Sequence, residues 1–259
     1  TAGPELSAQI IVATGNDLIT VGFGEEVFNT SGGSGPLEAD DFKFSLTAGP
    51  CTLVSATPSS IAVNGTPPTY KLGLSLTGTS DGSQELTLAV AGNAIFDVAG
   101  NAAPATSQPN NTAKLNDLTA PTVTVAITLI TDDTGKADDY ITSDTLLTVS
   151  GTISDALAIG ETVQVSNDGK VTWEDSTYPT STTWKLVDTD THTGDFTYDV
   201  RVIDSNSNVG NTDTQEVDID TAGPELSAQI IVATGNDLIT VGFGEEVFNT
   251  SGGSGPLEA

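Results

Sequence analysis

Basic residues are scarce in this sequence: 7 Lys and Arg stand against 35 Asp and Glu, a formal net charge of −28. Nucleic acids and anionic membranes are held by clustered Lys and Arg, so neither is expected as a partner. The imbalance favours cations as partners, or a high-salt environment. Cysteine is scarcer still. Cys51 alone allows no intrachain disulfide and no cysteine-based zinc site. Small secreted domains without disulfides often need another staple, and metal ions are the obvious one. No apolar run approaches the roughly 18 residues that suggest a membrane span. The opening "TAGPELSAQI" has neither the basic start nor the apolar middle of a signal peptide, and both ends are expected to be cut from something longer. Sustained helical periodicity is absent as well.

What the chain does have is an exact internal repeat. "TAGPELSAQIIVATGNDLITVGFGEEVFNTSGGSGPLEA" fills 1–39 and returns letter for letter at 221–259, an offset of 220 positions. Identity over that length points to a tandem array. A weaker echo lies inside the unit: "LNDLTAPTVTVAI" (115–127) parallels "DIDTAGPELSAQI" (218–230), and "FDVAGN" (96–101) parallels "VIDSNSNVGN" (202–211). The expected division is therefore a first domain at 1–117, a second at 118–220, and the first strands of another copy of domain one at 221–259.

Short runs such as "LITVGF", "FKFSL", "ELTLAV", "TVQVS" and "FTYDVRVI" are β-branched and mostly alternating. Between them lie "TGND", "NGTPP", "TSDG" and "NDGK", which carry turn chemistry. About seven such strands per domain predict an all-β fold of tandem immunoglobulin-like antiparallel β-sandwiches, arranged head to tail.

One segment is too acidic to be core. "ITDDTGKADDYITSD" (130–144) holds Asp132, Asp133, Asp138, Asp139 and Asp144 against Lys136 alone. In a head-to-tail array this loop is expected beside the outgoing Asp218 and Asp220, facing Glu245 and Glu246 of the next copy. Such a cluster suits Ca2+, which takes six to eight oxygen ligands. A plain solvated loop is the competing reading, because most charge runs are that. A thinner set, Asp17, Asn116, Asp117, Asp155, Asp204 and Asn208, is expected at the other junction. "EADDF" (38–42) with Glu25 and Asp97 could make a further site. Against it, Asp40 and Asp41 could simply begin a strand, and Asp97 could only brace a turn.

The run from the acidic loop through "LLTVSGT", "SNDGKVTW" and "VRVIDSNSNVGN" resembles the bacterial Ig-like repeats of giant biofilm-associated adhesins, over roughly 117–220. Ser207 stands where that family more often has glycine. Residues 1–117, with "ITVGFGEEVF", "DDFKFSL" and "IFDVAGNAA", are similar to a second β-repeat of very long bacterial surface proteins. The resemblance implies secreted or cell-surface stalk repeats, often stiffened by calcium between domains. It carries over to Asp132, Asp133, Asp138, Asp139 and Asp144 as ligands. Expected partners are other copies of the same repeat, in the same chain or a neighbouring one, with a cell-surface or glycan ligand taken by other regions.

Catalytic signals are weak, and no enzyme is expected. "GTSDG" (78–82) has the spacing of a hydrolase nucleophile elbow, but an Asp-Gly turn explains it better, and the single histidine, His192, belongs to the other domain. "DTG" (133–135) would need a second such aspartate to form a protease dyad. Two rival readings stay open. A carbohydrate- or receptor-binding module would show Trp173 and Trp184 on one exposed face. An acidic halophilic domain would bind no specific metal.

Overall fold

A computed structural model describes residues 2–65, 69–105, 108–227, 231–232, 239–245 and 247. The chain divides into two compact units, Thr1–Thr119 and Ala120–Ala259.

In the first unit the strands are β1 (Ile11–Val12), β2 (Leu18–Gly22), β3 (Phe42–Leu46), β4 (Thr52–Leu53), β5 (Ile61–Asn64), β6 (Thr69–Gly73), β7 (Leu76–Thr77), β8 (Glu85–Val90) and β9 (Thr112–Lys114). They form a four-stranded sheet β1-β2-β6-β5, a three-stranded sheet β3-β8-β9 and a β4-β7 ribbon, all antiparallel. Period-two alternation sends Ile19 and Val21 of β2 inward, and Leu86, Leu88 and Val90 of β8 likewise. These join Leu72, Phe42 and Phe44 in one core between the sheets. Fully burying a side chain of this size contributes about 1.5–3 kcal/mol. Cys51 lies in the same core, 1% exposed, and its thiol donates to Gln84 Oε1 at 2.8 Å.

In the second unit follow β10 (Val125–Ile130), β11 (Ile141–Thr142), β12 (Thr148–Ile153), β13 (Thr162–Ser166), β14 (Glu174–Asp175), β15 (Thr177–Thr180), β16 (Thr183–Val187), β17 (Phe196–Ile203), β18 (Val209–Ile219), β19 (Ile231–Val232) and β20 (Ile239–Thr240). Sheets β10-β12-β16-β15 and β11-β18-β17-β13-β14 enclose the second core, built on Val149, Val163, Trp184, Tyr198, Val200 and Val217. The architecture is thus nearly all β and sandwich-like in each unit. One pair departs from the antiparallel pattern: β11 and β18 run parallel, with Ile141 opposite Asp218 and Thr142 opposite Ile219.

Trp184 explains the Ser-Gly-Thr strand. A Cβ on Gly151 would lie 2.8 Å from two indole ring atoms and collide with the carbonyl oxygen of Ala126. With no Cβ there, the indole lies against the backbone and its Nε1 donates to Ala126 O at 3.2 Å. The two sheets of this unit are also joined by side chains. Val125 N–H donates to Asn211 Oδ1 at 2.8 Å, and Ile127 N–H to Asp213 Oδ2 at 2.9 Å. The β18 side chains thereby serve two β10 donors that its own sheet leaves free.

Candidate functional site

The acidic segment is a tightly coiled loop between β10 and β12 that carries β11 within it. Asp132, Gly135, Asp138 and Tyr140 all adopt positive φ, between 52° and 88°. Asp and Gly accept this conformation readily, whereas for Tyr140 it is uncommon and costs backbone strain. Tyr140 tolerates it because its ring packs against the core of the second unit. Burial, with Asp138, Asp133 and Asp213 adding negative charge, pushes its phenol pKa up.

Thr142, 1% exposed, organises the loop: its hydroxyl donates to Asp132 O at 2.6 Å and accepts from Asp144 N–H at 3.0 Å. Asp133 Oδ2 accepts from Asp138 N–H at 2.7 Å, and Thr134 Oγ1 from Ser143 N–H at 2.8 Å. The parallel pairing with β18 brings in the outgoing segment, where Asp218 N–H donates to Tyr140 O and Asp220 N–H to Thr142 O. The result is an open groove of about 640 Å3 lined by Asp132, Asp133, Thr134, Gly135, Thr142, Ser143 and Asp220, among others.

The structure therefore gathers three of the expected carboxylates, Asp132, Asp133 and Asp220, on one groove. Asp139 and Asp144 instead accept from backbone N–H groups two residues on, at Ile141 and Leu146. Asp138 is exposed, and Asp218 lies within β18. Among the described residues no three Asp, Glu, His or Cys side chains stand close enough together to hold a metal ion. Asp133, one of the residues lining the groove, carries an atom without a partner: its Oδ1 is buried and accepts no hydrogen bond. A buried carboxylate oxygen left unpaired is costly. The carboxylates and hydroxyls that line the groove are oxygen ligands of the kind a hard cation such as Ca2+ takes, but the described side chains do not by themselves form a complete metal site.

The other candidates have local partners. Asp97 and Asp204 form two copies of one turn. Asp97 Oδ1 accepts from Asn101 N–H at 2.8 Å and Oδ2 from Asn101 Nδ2 at 2.7 Å. Asp204 makes the same two bonds with Asn208, both at 2.9 Å. Hydrogen bonding from Asn101 holds the Asp97 carboxyl below the usual range. At Asp204 burial works the other way and is outweighed by the bonds from Asn208, Asn206 and Ser207. Ser207 takes φ 70°, where the first turn places Gly100 at φ 84°, so the sequence departure leaves the geometry unchanged. Asp97 does brace a turn.

Asp117 Oδ1 accepts from Thr119 N–H at 2.9 Å, and Asn116 pairs reciprocally with the buried Asn16. Within "EADDF", Asp41 Oδ2 accepts from Glu38 N–H at 2.7 Å, closing a 3-10 turn that leads into β3. Glu25 and Glu245 are exposed, and Glu246 lies outside the described residues.

Sequence reasoning missed a buried polar hub. Asp188, 5% exposed, accepts from Tyr198 OH at 2.7 Å, from Asn167 Nδ2 at 3.0 Å and from Asp190 N–H at 2.9 Å, and pairs with His192 Nε2 at 2.8 Å. The imidazole stacks on Phe196, with centroids 3.6 Å apart. Burial alone would raise the Asp188 carboxyl, but the bonds from Tyr198, Asn167 and His192 outweigh it and hold the pKa low. The only available signal was the single histidine set among aspartates.

The tryptophans do not make a platform. Trp184 is 1% exposed, and Arg201 sits over the Trp173 ring, 3.9 Å from its centroid. Ser80 of "GTSDG" is 2% exposed and its hydroxyl accepts from Gly82 N–H, closing a turn with no helix after it. Among the described residues no helix is long and apolar enough to cross a membrane.

No protein-family model and no curated protein matches the chain. Among solved structures, the N-terminal part of the bacterial S-layer protein SbsC aligns over 84% of this chain at 15% identity, with a TM-score of 0.32. The chain spans 44% of that structure's length. A cytokine receptor complex aligns over 80% of this chain and 93% of its own at 13% identity, TM-score 0.29. A chimeric titin Z1Z2 aligns over 84% and 96% at 12% identity, TM-score 0.25.

Proposed function

We propose that the chain is a structural repeat segment of an extracellular bacterial adhesin, stalk or fibre, and that the groove of the acidic loop takes Ca2+. The observation that carries the reading is the 39-residue segment repeated without a single difference at an offset of 220 positions. Its support is a chain of β-sandwich units, a net charge of −28, and the resemblance of 117–220 to adhesin repeats. The work of such a segment is mechanical. Calcium at the groove would pair the orphaned oxygen of Asp133 and relieve its repulsion with Asp132 and Asp220, holding the loop against the end of β18.

Calorimetric titration of chelator-stripped protein tests the calcium reading. Saturable binding is expected, lost in Asp133→Asn. An ion that binds the folded form alone adds about 2.7 kcal/mol at a hundredfold excess over its dissociation constant, so the melting midpoint should rise with calcium. No binding and no shift at millimolar calcium would leave only the solvated-loop reading.

A further inference from the structure

Arg201 is the chain's single arginine, set among 35 acidic residues. Among the described residues no carboxylate stands within ion-pair distance of it. Its Nε and Nη2 both donate to one neutral acceptor, Gln164 Oε1, at 3.0 and 2.8 Å. Gln164 Nε2 donates in turn to Asp175 Oδ1 at 2.9 Å, so that carboxylate reaches the guanidinium only through an amide. Burial draws the Arg201 pKa down, as expected of a cation partly stripped of water with no anion against it. The guanidinium carbon lies 3.9 Å from the Trp173 ring centroid, a stack that fixes its plane.

The strand register sets where this cation points. Tyr198, Val200 and Val202 of β17 are buried in the core, so Asp199 and Arg201 project from the opposite face of the sheet. Thr214 and Thr212 stand opposite them on β18, and therefore on that same outer face. The segment after β13 brings Lys170 and Trp173 to it. Together these residues border a cavity of about 360 Å3, to which Val209 adds apolar surface. Two carboxylates also line the cavity, and both are engaged. Asp199 pairs with Lys170 at 3.2 Å, and Asp213 accepts from Ile127 N–H. On the outer face Lys170 thus cancels Asp199, and the charge of Arg201 is left over.

We propose that this cavity binds a sugar acid, a uronic acid residue whose carboxylate is taken by Arg201. Gln164 occupies the Nε–Nη2 edge of the guanidinium. The Nη1–Nη2 edge remains, and it is a fork that matches a carboxylate. The Thr212 and Thr214 hydroxyls and the Lys170 ammonium can meet ring hydroxyls, while Trp173 and Val209 meet C–H edges. The volume is at the small end for ligand sites and admits about one sugar ring. A polyanionic chain would be repelled by the rest of this acidic surface, so the ligand is a single charged residue, free or at a glycan end. The site stands apart from the tandem-array and calcium readings, since none of its residues lines the acidic-loop groove.

The test uses the full chain with chelator present, so that no metal bridges ligand to protein. The 2 tryptophans give separate indole N–H signals in an isotope-labelled sample, assigned with Trp173→Phe. Glucuronate or galacturonate should move the Trp173 signal saturably, with a dissociation constant of about a millimolar for a ligand of this size. The signal of Trp184, which is buried in the core, should stay in place. Glucose and acetate each carry half of the ligand's chemistry and should bind at least roughly tenfold more weakly. Arg201→Gln should weaken uronate binding roughly tenfold to a hundredfold. Arg201→Lys keeps the charge without the fork and should fall between.

No saturable shift with either uronate at tens of millimolar overturns the proposal. Equal binding of glucose overturns it by dispensing with the arginine, and equal binding of acetate by dispensing with the sugar. Unchanged uronate affinity in an Arg201→Gln chain that melts like the unaltered one overturns it too. Should Arg201→Gln melt early, Arg201→Lys decides in its place, and unchanged affinity there is equally fatal.

Discussion

Replacing Asp188 by Ala should unfold the second unit at a much lower temperature. The side chain is 5% exposed and is the common acceptor for Tyr198, Asn167, Asp190 N–H and His192. Tyr198 is 0% exposed, so its hydroxyl has no water to turn to once the carboxylate is gone. An unsatisfied buried hydroxyl costs about 1–3 kcal/mol, and each lost bond to a charged acceptor about 1.5–3 kcal/mol. The carboxylate's own desolvation, several kcal/mol, is recovered and offsets part of this. The net is about 3–5 kcal/mol, in keeping with removal of one side of a buried charged network. For a domain of about 100 residues each kcal/mol moves the midpoint by about 4–8 °C, so the fall should be at least about 12 °C. Tryptophan fluorescence reads this unit alone, because Trp173 and Trp184 are the chain's 2 tryptophans. Cys51 labelling reads the first unit and should not change. A midpoint within about 4 °C of the unaltered protein would refute the reasoning, since the hub would then hold about 1 kcal/mol or less.

Gly151→Val should push the Trp184 indole off the Ala126 carbonyl. The expected loss is about 1–3 kcal/mol for overpacking plus about 1 kcal/mol for the bond, with red-shifted emission; unchanged emission would contradict the packing described. Asp168 accepts from the Thr172 hydroxyl and N–H and from the Ser166 hydroxyl, which draws its pKa down to about 2 from 3.8. Because the folded value is the lower one, its stabilisation is present above about 3.8 and lost as the pH falls toward about 2. Asp168→Asn should flatten the fall of the fluorescence midpoint across that window, and an unchanged slope would count against it.

Strands with clean alternation were legible in the sequence, because burying one face imposes period two: β2, β8, β12 and β13 all show it. Two edge strands, β5 and β15, were not. β5 is mostly exposed, and β15 contains Pro179, which a sheet tolerates only at such a margin. The first half of β18, "VGNTDT", reads as turn chemistry yet is extended. Its Asn211 and Asp213 side chains are spent on β10, a long-range use that no local pattern reveals. The approach of loop 131–144 to residues 218–220 followed from counting strands. The individual fates of its carboxylates did not, since they depend on which backbone N–H each one meets. The Asp188 hub was invisible for the same reason: Asn167, Asp190, His192 and Tyr198 share no spacing that marks them as neighbours.

The bonds from Val125 to Asn211 and from Ile127 to Asp213 advance in step, so β10 and β18 point the same way. The chain enters this unit ahead of β10 and leaves it past β18. Tension on the two ends would therefore drag these strands lengthwise past each other, a shearing load. The side-chain clasps and the β11–β18 pairing would strain together rather than unzip one after another. Two turn-like residues in the sequence, an asparagine and an aspartate two places apart, thus sit where a pulled domain would first have to give way.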